Sequence, residues 1–197
     1  MKRIAILLLA LCLALATFGC AEKAEESPVS PVPAGDFSSG VHHAKIVIKN
    51  YGTVTVELDA DAAPISVANF CKLAKEGAYD GATFHRIIKG FMMQGGAVEG
   101  AATIKGEFAA NGVENPIKHV RGVISMARAT PYDSGSSQFF IVHQDAPHLD
   151  GNYAAFGRVT SGMEIVDLIC ENTPVIDNNG SVAEADRPVI ETVTVVD

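Results

Sequence analysis

Two runs of alternating apolar and polar residues, 44–49 and 53–58, flank Asn50-Tyr51-Gly52 and confine this stretch to a β-hairpin. A period of two puts Ala44, Ile46 and Ile48, then Val54, Val56 and Leu58, on one face of a pleated ribbon. Asn and Gly tolerate the positive φ that a tight hairpin turn needs. An isolated hairpin is at best marginal in water, so the ribbon must be extended by other strands. Short apolar runs at 83–88, 91–94, 122–127, 138–142, 154–159 and 189–196 provide them.

Helical periodicity occurs in only two places within this region. Asp61-Ala62-Ala63-Pro64 opens the first, with Pro64 suited to the first turn, Val67, Phe70, Cys71 and Ala74 on one stripe, and Gly77 as the stop. The second runs over 163–170, turns Met163, Val166 and Ile169 or Cys170 inward, and has Pro174 beyond its end. Many short strands with two helices predict a mostly-β barrel or sandwich. With 48% hydrophobic and 19% charged residues among 197, the chain has ample material for a core. It contains no Trp, so any pocket is built from Phe, Met, Leu, Tyr and His.

The N-terminal segment reads as an address. Lys2 and Arg3 precede an apolar run over 4–18 that ends in Gly19-Cys20, the pattern of a secretory signal and too short for a comfortable membrane span. Ala16-Thr17-Phe18-Gly19-Cys20 resembles a bacterial lipobox, which implies lipidation of Cys20. Residues 21–40, rich in Pro, Ser, Glu and Gly, read as a flexible tether between that anchor and a domain over 41–197. The expected location is therefore outside the cytoplasm: on the bacterial cell envelope, held by lipid alone, or, if a plain signal peptide is cut nearby, periplasmic or extracellular. Export permits a disulfide between Cys71 and Cys170, on the two predicted helices, but buried thiols are the expectation.

Several functions are set aside. A formal charge of −8 without a dense basic run argues against nucleic acid. His42-His43 sit at a strand entrance, where adjacent side chains diverge, and no zinc-ligand spacing occurs, so neither metal nor cofactor is expected. The Ser-rich stretch 134–137 lacks the Gly-x-Ser-x-Gly elbow of a serine hydrolase.

Recognition of ordered motifs goes further. Phe84-His85-Arg86-Ile87-Ile88-Lys89-Gly90-Phe91-Met92-Met93-Gln94-Gly95-Gly96 closely resembles the signature of the cyclophilin-type peptidyl-prolyl cis/trans isomerases. Gly122-Val123-Ile124-Ser125-Met126-Ala127-Arg128, Gly135-Ser136-Ser137-Gln138-Phe139-Phe140-Ile141, Leu149-Asp150-Gly151 and Ala155-Phe156-Gly157-Arg158-Val159 resemble the later blocks in order and approximate spacing. The resemblance spans about 43–196 and implies a closed eight-stranded antiparallel barrel with a helix at each end.

It also implies a site. Arg86, Gln94 and Phe91 are the expected catalytic residues, Arg86 anchoring the substrate proline's carbonyl beside the imide nitrogen. Phe91, Met92, Phe140 and Leu149 would form an apolar cup for the proline ring, with Phe139 turned the other way into the core. Gln94 would bond the peptide backbone, Ala127 would border the groove, and Gln138 would orient Arg86 or the peptide. Two positions depart from well-known members: His148 replaces a Trp, which predicts weakened cyclosporin binding, and Tyr153 replaces a His, keeping a hydroxyl for a substrate carbonyl. Arg128 stands where many members have Asn, and the loop over 130–134 is one residue longer.

The expected partners are proline-containing peptides and unfolded exported proteins, met by a monomer. The competing reading is a proline-peptide-binding chaperone or scaffold without turnover.

Overall fold

The computed structural model describes residues 37–196; the expected signal, Cys20 and the spacer as far as residue 36 lie outside them. The opening hairpin forms as its alternation requires. β1 (Val41–Ile48) pairs antiparallel with β2 (Gly52–Asp59), from Val41 opposite Asp59 to Ile48 opposite Gly52. Asn50 takes the left-handed φ of 69° that the three-residue turn needs. All six apolar residues predicted to face inward are buried.

The rest of the sheet comprises β3 (Phe84–Ile88), β4 (Met92–Gly95), β5 (Val123–Met126), β6 (Phe139–Val142), β7 (Ala155–Ser161) and β8 (Ile190–Val195). All ladders are antiparallel, in the order β3-β4-β6-β5-β7-β2-β1-β8.

The sheet curls strongly but is open, which corrects the expected closed barrel. Its end strands, β3 and β8, meet only at their beginnings, through the Thr83–Val189 bridge and hydrogen bonds such as Phe84 N–H to Pro188 O (2.9 Å). Farther along, the free side of β3 is occupied by residues 180–182: Ile87 N–H donates to Gly180 O (2.8 Å) and Val182 N–H to His85 O (3.0 Å). That loop takes the backbone groups β8 would need to complete the ladder. It fits because residue 180 is glycine: a Cβ there would lie 2.4 Å from Ile87 O.

The helices are α1 (Pro64–Lys75), packed against β8 and β2, and α2 (Met163–Asn172), packed against β2 and β4. α1 has no side-chain cap of its own. Instead the buried Glu107 carboxylate accepts from Ile65 N–H and Ser66 N–H, both at 2.8 Å, and from the Ser66 hydroxyl at 2.6 Å. A carboxylate at a helix N-terminus satisfies orphan donors and opposes the helix dipole.

The concave side holds the main core, where Phe70, Tyr79, Phe84, Phe139 and Phe156 pack ring on ring. Cys71 and Cys170 are buried with no disulfide between them, and burial pushes the Cys170 thiol up to about 12. β5 and β6 are buried on both faces, which explains the continuous apolar run of β6 and a β5 run interrupted only by the buried Ser125. Their outer face carries a second cluster of Met92, Val123, Phe140, Val142 and Leu149.

The folded region also begins earlier than the expected boundary. Phe37 packs edge-on against His42 with Lys75 Nζ 4.2 Å above its ring, and Gly40 N–H donates to Asp61 (2.8 Å). One aromatic ring docks what composition alone assigned to the spacer.

Candidate active site

The second apolar cluster forms the floor of a groove of about 320 Å³ on the convex side of the sheet, crossing β3, β4, β6 and the end of β5. Met92 and Phe140 lie on its floor because residues 92 and 140 point outward on their strands, whereas Met93 and Phe139 point to the core. The Pro147–Leu149 turn, one cycle of 3-10 helix, supplies Leu149 and His148. Phe91 leans on His148, ring centres 5.3 Å apart, and Tyr153 meets Phe140 edge-on at 5.9 Å.

Arg86 stands at the β3 end of the groove. Its Nε–H donates to Asn179 O (2.9 Å), Nη2 to Asn179 Oδ1 (3.2 Å) and Nη1 to Gln94 Oε1 (3.3 Å), with Met92 Sδ 3.9 Å from Nη1. Every acceptor is neutral, and no carboxylate among the described residues comes within ion-pair distance. The guanidinium is fixed in direction and keeps its full charge.

Gln94 is oriented in turn, since its Nε2 donates to Gln138 Oε1 (3.0 Å) and leaves Oε1 for the arginine. Gln138 thus touches Gln94 rather than Arg86 and is not among the residues lining the groove. The other residues expected at the site, Arg86, Gln94, Phe91, Met92, Ala127, Phe140, Leu149, His148 and Tyr153, all line it. Cys20 lies outside the described residues.

Two elements of the site escaped sequence reasoning. Asn179 lies 93 residues from Arg86 in a surface loop; Asp177-Asn178-Asn179-Gly180 signals a turn but nothing about its neighbour. The loop is held by Asp177 Oδ1, which accepts from Asn179 N–H (3.0 Å) and Ser181 N–H (2.9 Å); the Ser181 hydrogen bonds lead the effects that hold this carboxyl below its usual range.

The second is a polar chain beneath Phe140. His119 lies nearly parallel to that ring, centres 6.0 Å apart, with Nδ1 3.1 Å from Asp150 Oδ1 and Nε2 3.0 Å from the Ser125 hydroxyl. Burial holds the His119 pKa below 6.5 against the opposing pull of Asp150, so the ring is neutral: Nδ1–H donates to Asp150 and Nε2 accepts from Ser125. The Ser-His-Asp order suggests a hydrolase triad, but Ser125 is fully buried and has no path to a substrate. The chain braces the groove floor from below.

Comparison with known proteins agrees with this arrangement. A family profile described as cyclophilin type peptidyl-prolyl cis-trans isomerase/CLD matches residues 43–196. Peptidyl-prolyl cis-trans isomerase B of Bacillus subtilis is 48% identical over 124 residues, 60% of this chain and 83% of that protein. A cyclophilin type peptidyl-prolyl cis-trans isomerase of Cryptosporidium parvum superimposes with a TM-score of 0.69 at 29% identity, covering 80% of this chain and 99% of that one. A second crystal structure of that protein, in the presence of the dipeptide Ala-Pro, gives a TM-score of 0.67 at 28% identity over 79% of this chain and 99% of that one. With the profile running from the first strand past the end of the last, the chain belongs to the cyclophilin-type peptidyl-prolyl cis-trans isomerase family.

Proposed function

We propose that this isomerase turns X-Pro bonds in exported proteins as they fold, and that the groove beside Arg86 is where it does so. The imide barrier is about 18–20 kcal/mol because the nitrogen lone pair is shared with the carbonyl. No bond breaks, so the site needs neither nucleophile nor proton shuttle. It must bind the half-rotated imide better than either planar isomer.

Phe91, Met92, Phe140 and Leu149 take the pyrrolidine ring in this reading, as their apolar surfaces favour. Three ring methylenes at about 0.8 kcal/mol each give about 2.4 kcal/mol, weak enough for rapid release. The preceding carbonyl, left free, swings while the ring is held. Arg86 holds the proline's own carbonyl and places its charge near the imide nitrogen, favouring the lone pair once rotation uncouples it. Gln94 and Tyr153 offer hydrogen bonds to the backbone on either side, and Gln138 keeps Gln94 in place.

The observation carrying this reading is the arginine itself, pinned by neutral acceptors at the rim of an apolar groove. Its test is an exchange-NMR assay on a proline peptide. Arg86→Ala should lower kcat/KM by about 10²–10³, the range for removing one pre-organised transition-state donor. Equal rates in both proteins would overturn the assignment and favour a groove that binds without turnover.

The site of action belongs to the same proposal. The basic start, the apolar run over 4–18, Cys20 and the spacer after it support export and lipid tethering to a bacterial envelope. Mass spectrometry of protein from the membrane fraction should find diacylglyceryl on Cys20. A soluble mature protein cleaved elsewhere, with an unmodified thiol, would refute the anchor.

A further inference from the structure

We infer that Arg128 forms a carboxylate-recognising subsite upstream of the proline, making this isomerase selective for X-Pro bonds preceded closely by Asp or Glu. The inference deepens the groove assignment above and rests on it.

Arg128 lies where the groove opens onto a shelf of about 540 Å³ bounded by Ala129, Thr130, Tyr132 and Tyr153. Its guanidinium is built in. Nε and Nη2 both donate to Asn152 O, at 3.0 and 2.9 Å, and Nη1 donates to Ala129 O (2.9 Å) and Thr130 O (3.3 Å). The rings of Phe108, Tyr132 and Tyr153 surround it, with its central carbon 5.0, 5.1 and 4.7 Å from their centres. Arginine has five N–H donors, so these four bonds leave one on Nη2 for a ligand.

The charge is also left over. Asp133, on the shelf's own loop, accepts from Gly106 N–H and Asn111 Nδ2. Asp150, on the loop that carries Asn152 and Tyr153, faces His119 and Lys118. No carboxylate among the described residues comes within ion-pair distance of Arg128. An ordered cation without a counter-ion, on a chain with a net charge of −8, awaits an acidic group from elsewhere.

Strand order gives the register. Arg86 on β3 and Arg128 just past β5 are three strand steps apart through β4 and β6. At about 4.8 Å per step this is about 14 Å, or roughly four extended residues. With Arg86 on the proline's own carbonyl, the chain that reaches Arg128 is the stretch of two or three residues before the proline.

The test uses blocked, uncharged-end peptides in which Glu, Gln or Lys occupies in turn each of the three positions before the Pro, assayed by exchange NMR. At one of these positions the wild type should turn over the Glu peptide about two- to fivefold faster in kcat/KM than the Gln peptide, with Lys slowest. The Glu:Gln ratio should fall to one in Arg128→Gln, and in the wild type should shrink as salt is raised to about 0.5 M. A ratio reads selectivity independently of overall activity, and the salt series needs no variant. Equal rates for Glu and Gln at all three positions, or a preference that persists in Arg128→Gln, would overturn the inference. An Arg86→Ala protein as active as the wild type would instead overturn the groove assignment beneath it.

Discussion

Asn179→Ala isolates the loop that aims Arg86, the arginine proposed to act on the imide. The substitution deletes the Oδ1 acceptor of Arg86 Nη2 at 3.2 Å, while Asn179 O still receives Nε–H and Gln94 Oε1 still receives Nη1. The loop itself is retained, because Asp177 holds the backbone N–H of residue 179 and of Ser181. A hydrogen bond to a charged donor contributes about 1.5–3 kcal/mol when protected. Asn179 is exposed, which discounts this to about 1 kcal/mol, or about fivefold in kcat/KM. Exchange NMR on an Ala-Pro peptide measures it, with urea unfolding as a control that stability is unchanged. The decisive arm is a double-mutant cycle: in the Arg86→Ala background, Asn179→Ala should cost nothing further, giving a coupling energy of about 1 kcal/mol. Full activity in the single variant, or the same fivefold loss without Arg86, would refute the claim that Asn179 works by positioning that guanidinium.

Two further outcomes follow from the site's histidines. His119 has a folded pKa below 6.5, so as pH falls beneath 6.5 the unfolded chain gains a proton that the folded one refuses. Stability is full well above 6.5 and declines as pH falls through 6.5 toward the lower folded value; His119→Gln should flatten part of the slope in urea midpoints, leaving the share of His85, whose pKa burial also lowers. The Asp150 contribution, from a carboxyl held below 3.8 by His119's hydrogen bonds despite burial, is lost only at lower pH, and an unchanged slope in the variant would refute the assignment. Replacing His148 with Trp should tighten cyclosporin inhibition several-fold by enlarging the apolar wall beside Phe91, as read by an inhibitor titration; no change would show that this wall does not limit the drug.

The legible and illegible parts of this molecule divide along the range of the forces involved. Period-two alternation was enough to predict the β1–β2 hairpin and its buried face, and the stripe through Val67, Phe70, Cys71 and Ala74 was enough for α1, because both patterns are local. In β6 the same period separates Phe139 from Phe140, but only the family resemblance said which of them faces the groove. The open seam was not readable: eight apolar runs count eight strands without revealing that residues 180–182 sit on β3. Nor were Glu107 at the start of α1 and Asn179 at Arg86, each joined to its partner across long sequence separations by one or two polar atoms. The Pro147–Leu149 turn is too short to carry a period, and Phe37 was hidden by the polar composition around it.

The strip of chain laid along β3 has a bearing on which contacts an extended polypeptide can make with this sheet. Unfolded polypeptides are rich in unpaired amides and readily add themselves to a bare sheet margin, a route to aggregation. Here the margin nearest Arg86 is already spoken for by Gly180 and Val182, so an extended peptide finds no template for strand addition there. What lies open beside that margin is the groove, which offers side chains in place of a bare backbone edge.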